Sequence, residues 1–197
     1  AFKTRVNSVL SYETLKNPVP YNHVEIYNAN LPDNFKSLKG EDYVQAAKKA
    51  QAAVINHLLS LDTPEAKVFI NEVAGAFALV IEHYIEVAKR INSESKVLLP
   101  AGTHGGLMEL LLKEALIRFD EEGNKIVGFK NIDEIGGEFN PSESYDVDIR
   151  TDETGNLLPL KVYFTAQSRP KGEMFLDLDK IHELSAYYKS IHKEYVR

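Results

Sequence analysis

The chain has 197 residues, 44% of them hydrophobic and 26% charged, a balance that excludes a disordered chain, a collagen-like fibre and a small disulfide scaffold. Its 23 basic and 29 acidic residues leave a formal charge of -6, so nothing draws it over long range to nucleic acid. There is no cysteine, which removes disulfides, thiolate nucleophiles and Cys-ligated metals and leaves the redox compartment unread. The length fits one domain with a sizeable core. No apolar run approaches the ~20 residues of a membrane span, and Ala1-Phe2-Lys3-Thr4-Arg5 is not a signal peptide. A soluble, cytoplasmic protein is expected.

Phe2, Val6, Val9 and Leu10 form a helical stripe that Pro18 and Pro20 end. His23 to Tyr27 reads as a short strand or extended segment, followed by a polar loop to Gly40. Tyr43, Ala46, Ala47, Ala50, Val54, Leu58 and Leu61 predict a helix from Glu41 to about Leu61. A second helix is expected from near Thr63, with Pro64 in its first turn, to about Ile91; a break at Gly75 is left open. Lys96 to Pro100 is a short apolar run of strand type, and Leu107 to Arg118 an amphipathic helix. Asp120 to Asn124 is a turn, and Ile126 to Phe129 a strand. Tyr145 to Arg150 and Leu158 to Thr165 then make a hairpin about the turn Asp152 to Asn156. Asp177 or Asp179 caps a last helix carrying Ile181, Leu184, Tyr188 and Ile191. The intermixed elements predict an α/β fold.

The segment Gly102-Thr103-His104-Gly105-Gly106, between an expected strand and an expected helix, is the place with chemistry. A helix N-terminus offers free N–H groups and a positive dipole end, which favour an anion. A histidine there donates to a phosphate when protonated and acts as base or nucleophile when neutral. A plain strand-to-helix turn explains the same glycines equally well.

With Val97-Leu98-Leu99-Pro100 before it and Leu107-Met108-Glu109-Leu110-Leu111 after it, this segment resembles the second catalytic-histidine segment of the histidine phosphatase superfamily, the phosphoglycerate mutase-like clan. Ala1-Phe2-Lys3-Thr4 looks like the tail of that family's Arg-Ala-x-x-Thr helix start. The resemblance implies a three-layer sandwich with a mostly parallel sheet flanked by helices, and a late β-hairpin. It also implies phosphoryl transfer or phosphomonoester hydrolysis through a phosphohistidine on a small phosphorylated substrate, without metal or organic cofactor. Thr103, His104 and Gly105 would hold the phosphate, with His104 as the second catalytic histidine. Glu25 would be the leaving-group acid, although a solvated edge-strand residue explains it as well. No Arg-His-Gly occurs in the chain. The resemblance therefore places the nucleophile and the first strand before Ala1, in a single domain lacking its front. The alternative is a non-catalytic phosphate-ligand or protein-binding module on the same scaffold. Neither a nucleic-acid nor a membrane partner is expected, and a homo-oligomer is compatible with both readings.

The remaining candidates have simpler explanations. His83 and Glu86 share a helix face but read as solvated, His57 as a packed or boundary residue, and His182 and His192 as surface. Asp146, Asp148, Asp152 and Glu153 lack the spacing of a calcium loop. Ile135-Gly136-Gly137 has no P-loop lysine and reads as a connection, and Arg169-Pro170-Lys171-Gly172 as a solvent loop.

Overall fold

The computed structural model describes residues 15–91, 95–101, 106–140 and 143–193. Five helices, α1 (His23–Ala29), α2 (Gly40–Ser60), α3 (Pro64–Ala88), α4 (Met108–Ala115) and α5 (Leu178–Ile191), accompany five strands. The strands are β1 (Leu116–Phe119), β2 (Lys125–Val127), β3 (Tyr145–Asp148), β4 (Leu160–Phe164) and β5 (Phe175–Leu176). They form one sheet in the order β2-β1-β5-β4-β3, and every neighbouring pair is antiparallel.

The expected mostly parallel three-layer sandwich is therefore wrong. Parallel neighbours need crossover helices between strands. Among the described residues all strands follow residue 115, the β3–β4 pair closes on its own turn through the Thr151–Leu157 bridge, and no crossover α-helix lies between neighbouring strands. The expected strand at Lys96–Pro100 is irregular chain, with Val97, Leu98 and Leu99 left 55%, 86% and 39% exposed. A strand buried in a parallel sheet would hide such side chains on both faces. The expected strand at His23–Tyr27 is instead α1, because the Asn22 side chain accepts the Glu25 N–H and starts a helix. The late hairpin is present, with Tyr145 opposite Phe164 and Asp148 opposite Lys161.

Two of the long helices match their periodicity. Thr63 caps α3 by accepting the Ala66 N–H, and Pro64 sits where its missing donor costs nothing. The helix runs through Gly75 without a break. That glycine lets α5 approach: a Cβ there would lie 2.6 Å from the Leu184 carbonyl oxygen and 2.9 Å from the Tyr188 Cβ. By length and composition α3 is apolar enough to cross a membrane, contrary to the expectation that no stretch is. In this fold Phe69, Ile70, Val73, Ala74, Ala78 and Ile81 of α3 are core residues shared with α4, α5 and the sheet. The helix expected to reach Arg118 stops at Ala115, and Leu116 begins β1.

Leu116, Leu176, Leu160 and Val162 point from the sheet into that core. Two carboxylates of α3 fasten the C-terminal helix. Glu82 accepts from Ser185 and Lys189 and lies 2.7 Å from His182 Nδ1. Glu72, fully buried, accepts the N–H groups of Lys16 and Asn17 and lies 2.6 Å from His192 Nε2. His192 is thus buried and stacked on Tyr188 at 4.2 Å rather than on the surface.

Candidate functional site

Three segments singled out in the sequence meet at the N-terminal end of α4. The connection is made by Arg169, which is buried rather than in a solvent loop. Its guanidinium lies over the Phe139 ring, 3.7 Å from the centroid. Nη1 donates to the carbonyls of Ile135 and Gly137 at 2.8 and 2.9 Å, and Nη2 to the Glu138 carbonyl and the Glu143 carboxylate at 2.8 Å each. A rigid fork of donors suits this task, since one planar group closes several carbonyls of a turn. Gly136 allows it. Its φ of 85° is a left-handed conformation, and a Cβ there would meet the Arg169 Cα at 3.1 Å.

Glu109 ties this turn to the start of α4. It is fully buried in the first helical turn, accepting the Gly106 N–H through Oε2 and the Phe139 N–H through Oε1, each at 3.0 Å. Burial pushes its carboxyl above the usual range, against the pull of those N–H groups and of Arg169. Glu138 is pushed up to about 7, first by burial and then by Glu109, with Lys48 of α2 acting in the opposite sense. The buried phenol of Tyr145 is also pushed up, by burial and then by Glu109.

On the other side of Gly106 lies a cleft of about 280 Å³. Val19, Tyr21, Val24 and Tyr27 line it from the N-terminal segment, Val54, Ile55 and Leu58 from α2, and Phe69 and Leu107 complete the lining. His23 and Gln51 are its polar lining side chains. The cleft and the buried acidic cluster share the backbone of Gly106.

Thr103, His104 and Gly105 lie outside the described residues, immediately before this junction. Glu25 is exposed on α1, and its carboxylate is hydrogen-bonded by the Asn22 side chain at 3.3 Å. It does not line the cleft, although His23, Val24 and Tyr27 do. His57 is half-buried, its ring edge-on to Tyr21 at 5.1 Å. His83 is exposed, and Glu86 pairs with Lys89 and Arg90. Asp152 folds its own turn by accepting from Thr154 and Asn156. Among the described residues no group of three His, Asp or Glu is placed to hold a metal ion.

The residues that sequence reasoning missed are Glu109, Glu138 and the buried role of Arg169. A faint signal existed for Glu109, an acid three residues after a glycine at a helix start, where carboxylates reach back to free N–H groups. Nothing local marked Glu138 or Arg169, whose burial comes from chain segments about 30 residues apart.

No protein-family model matches the chain, and comparisons with curated proteins and with solved structures find no match either.

Proposed function

We propose that this chain works as a binding module for a small, uncharged, mainly apolar ligand held in the cleft that ends at Gly106. The observation that carries this reading is the cleft itself: aromatic and aliphatic walls from four chain segments, with a few polar groups to orient a ligand. At about 280 Å³ it suits a molecule of one or two fused rings.

The phosphoryl-transfer reading keeps its Thr103-His104-Gly105 motif but finds less support around it. A phosphate at the start of α4 would use the free N–H groups there, and the Gly106 N–H is already held by Glu109. The buried guanidinium that would balance its charge is Arg169, which spends both Nη atoms on carbonyls and on Glu143. Glu109, Glu138 and Glu143 make the surroundings acidic.

The test is titration with the uncharged two-ring fluorophore 1-naphthylamine, with hydrolysis of 4-nitrophenyl phosphate measured in parallel. Saturable binding is expected, weakened about tenfold or more by Gln51→Trp, which fills the cleft from α2, and by Val24→Asp, which puts a charge in its wall. Leu98→Ser, on the exposed segment, leaves binding unchanged. Absence of saturable binding, or binding indifferent to both cleft variants, overturns the proposal. Phosphatase turnover lost in His104→Ala would replace it with the phosphoryl-transfer reading.

A further inference from the structure

The polar groups of the cleft at Gly106 restrict its ligand as much as its apolar lining does. Among the described residues no Asp, Glu, Lys or Arg lines it. Beside the tyrosine hydroxyls, its polar side chains are His23 and Gln51. The Tyr21 hydroxyl already donates to the Val54 carbonyl at 3.3 Å. His23 and Tyr27 belong to α1, a helix of 7 residues with none buried, and His23 is exposed. Gln51 sits instead in the middle of the 21-residue α2, half-buried, next to the fully buried Ala50. Its carboxamide has no hydrogen-bond partner among the described residues. The amide end lies beside Gly106, with Nε2 3.5 Å from the point where a Cβ on that glycine would stand.

A carboxamide holds a donor and an acceptor side by side in one plane. In an open cleft water serves both. A ligand that fills the cleft displaces that water, and a wholly apolar one leaves both amide atoms unpaired, at a cost larger than the net worth of a hydrogen bond. A carboxylate offers acceptors alone, so it pairs with Nε2 and opposes Oε1, and it brings a charge to a cleft lined by no Lys or Arg. An alcohol or amine reaches one amide atom well. A planar N–H next to a C=O satisfies both at once, its N–H donating to Oε1 and its carbonyl accepting from Nε2, the two-bond pairing that a glutamine makes with a base edge. The rings of Tyr21, Tyr27 and Phe69 suit the flat remainder of such a molecule. We propose that the cleft takes an uncharged bicyclic lactam, read along its N–H/C=O edge by the Gln51 carboxamide, which makes Gln51 the specificity-determining residue. This rests on the cleft being the binding site and adds the polar edge of the ligand.

Isothermal titration calorimetry of the full chain tests this with two ligands of one shape. Isocarbostyril is a bicyclic lactam, and isocoumarin is the same ring system with an oxygen in place of the N–H. Isocarbostyril should bind about tenfold tighter or more, because isocoumarin turns a lone pair toward Oε1 and leaves it unpaired. Gln51→Leu removes both polar atoms and keeps an apolar side chain of similar reach. In that variant the two ligands should bind alike, and 1-naphthylamine should still bind. Gln51→Met makes the same comparison if Gln51→Leu does not fold. A chain that binds 1-naphthylamine but holds the two ligands equally overturns the lactam assignment and leaves the cleft as the binding site. A preference for isocarbostyril that survives the loss of the carboxamide also overturns it, since the edge is then read elsewhere. Saturable binding of none of the three ligands overturns both this inference and the reading on which it rests.

Discussion

His192 Nε2 lies 2.6 Å from Glu72 Oε1, with both side chains fully buried, so the end of the chain is fastened to the middle of α3 through one carboxylate. Asn17 donates to the other oxygen from its backbone and its side chain, which brings the described N-terminal segment to the same point. Burial alone would push the Glu72 carboxyl up. The hydrogen bonds from Lys16, His192 and Asn17 outweigh it and hold the group below its ordinary range. Removing one donor should therefore be expensive. His192→Ala is expected to lower unfolding free energy by about 2–3 kcal/mol, read from urea denaturation at pH 7. A carboxyl whose folded value is depressed stabilises the fold above its unfolded value and ceases to do so as pH falls through the folded one. The native chain should thus lose stability as pH drops below about 4.5, and Glu72→Gln should show a flatter acid limb from a lower starting point.

Gly75 makes the α3–α5 contact depend on the lack of a side chain. Alanine is the better helix former by about 1 kcal/mol. Its Cβ, however, would stand 2.6 Å from a backbone carbonyl that cannot rotate aside. Gly75→Ala is expected to destabilise by at least about 2 kcal/mol in spite of the propensity gain. Thermal unfolding followed by circular dichroism measures it, and an unchanged midpoint would show that the helices separate freely.

Glu138 runs the other way from Glu72. Its folded value of about 7 lies above the ordinary 4.5, so the folded chain holds a proton that the unfolded chain has released. Stability should fall as pH rises from about 4.5 to 7 and level off above. Glu138→Gln removes the charge and should gain about 1–2 kcal/mol at pH 8, a figure reduced for the group's partial exposure, and almost nothing at pH 4. Urea curves at the two pH values give the comparison.

Arg169 is not replaceable by lysine. An ammonium cannot lie flat on Phe139 while donating to the Ile135, Gly137 and Glu138 carbonyls and to Glu143. Arg169→Lys is expected to cost roughly 2–4 kcal/mol and to loosen the Gly136 turn, seen as faster amide exchange at Phe139.

What could be read in the sequence follows how local each cause is. Helices α2, α3 and α5 and the β3–β4 hairpin rest on periodicity, a cap or a turn within a few residues, and they stand where those signals put them. The strand expected at Lys96–Pro100 failed because an apolar run does not say what covers it, and Val97, Leu98 and Leu99 are all exposed here. Asn22 as a helix start outweighed the extended look of His-Val-Glu-Ile-Tyr. For the site, the glycines at 106 and 136 were visible as turn makers, but the buried carboxylate joining Gly106 to Phe139 was not. Glu109 reaches a backbone N–H thirty positions away, and Arg169 reaches its partners across a similar span. Such pairings are decided by tertiary packing and leave no spacing to recognise.

The lock between α3 and α5 also sets an order of events when the chain is made. Residues 64–88 leave the ribosome roughly 100 residues before the helix that covers them, and the β1–β2 and β3–β4 hairpins emerge in between. During that interval Val73, Ala74 and Ile81 have no α5 to pack against, and Glu82 has none of its three partners on that helix. Nascent chains stalled before residue 178 should hold an apolar helix ready for chaperone capture, and release past His192 is the step that withdraws it.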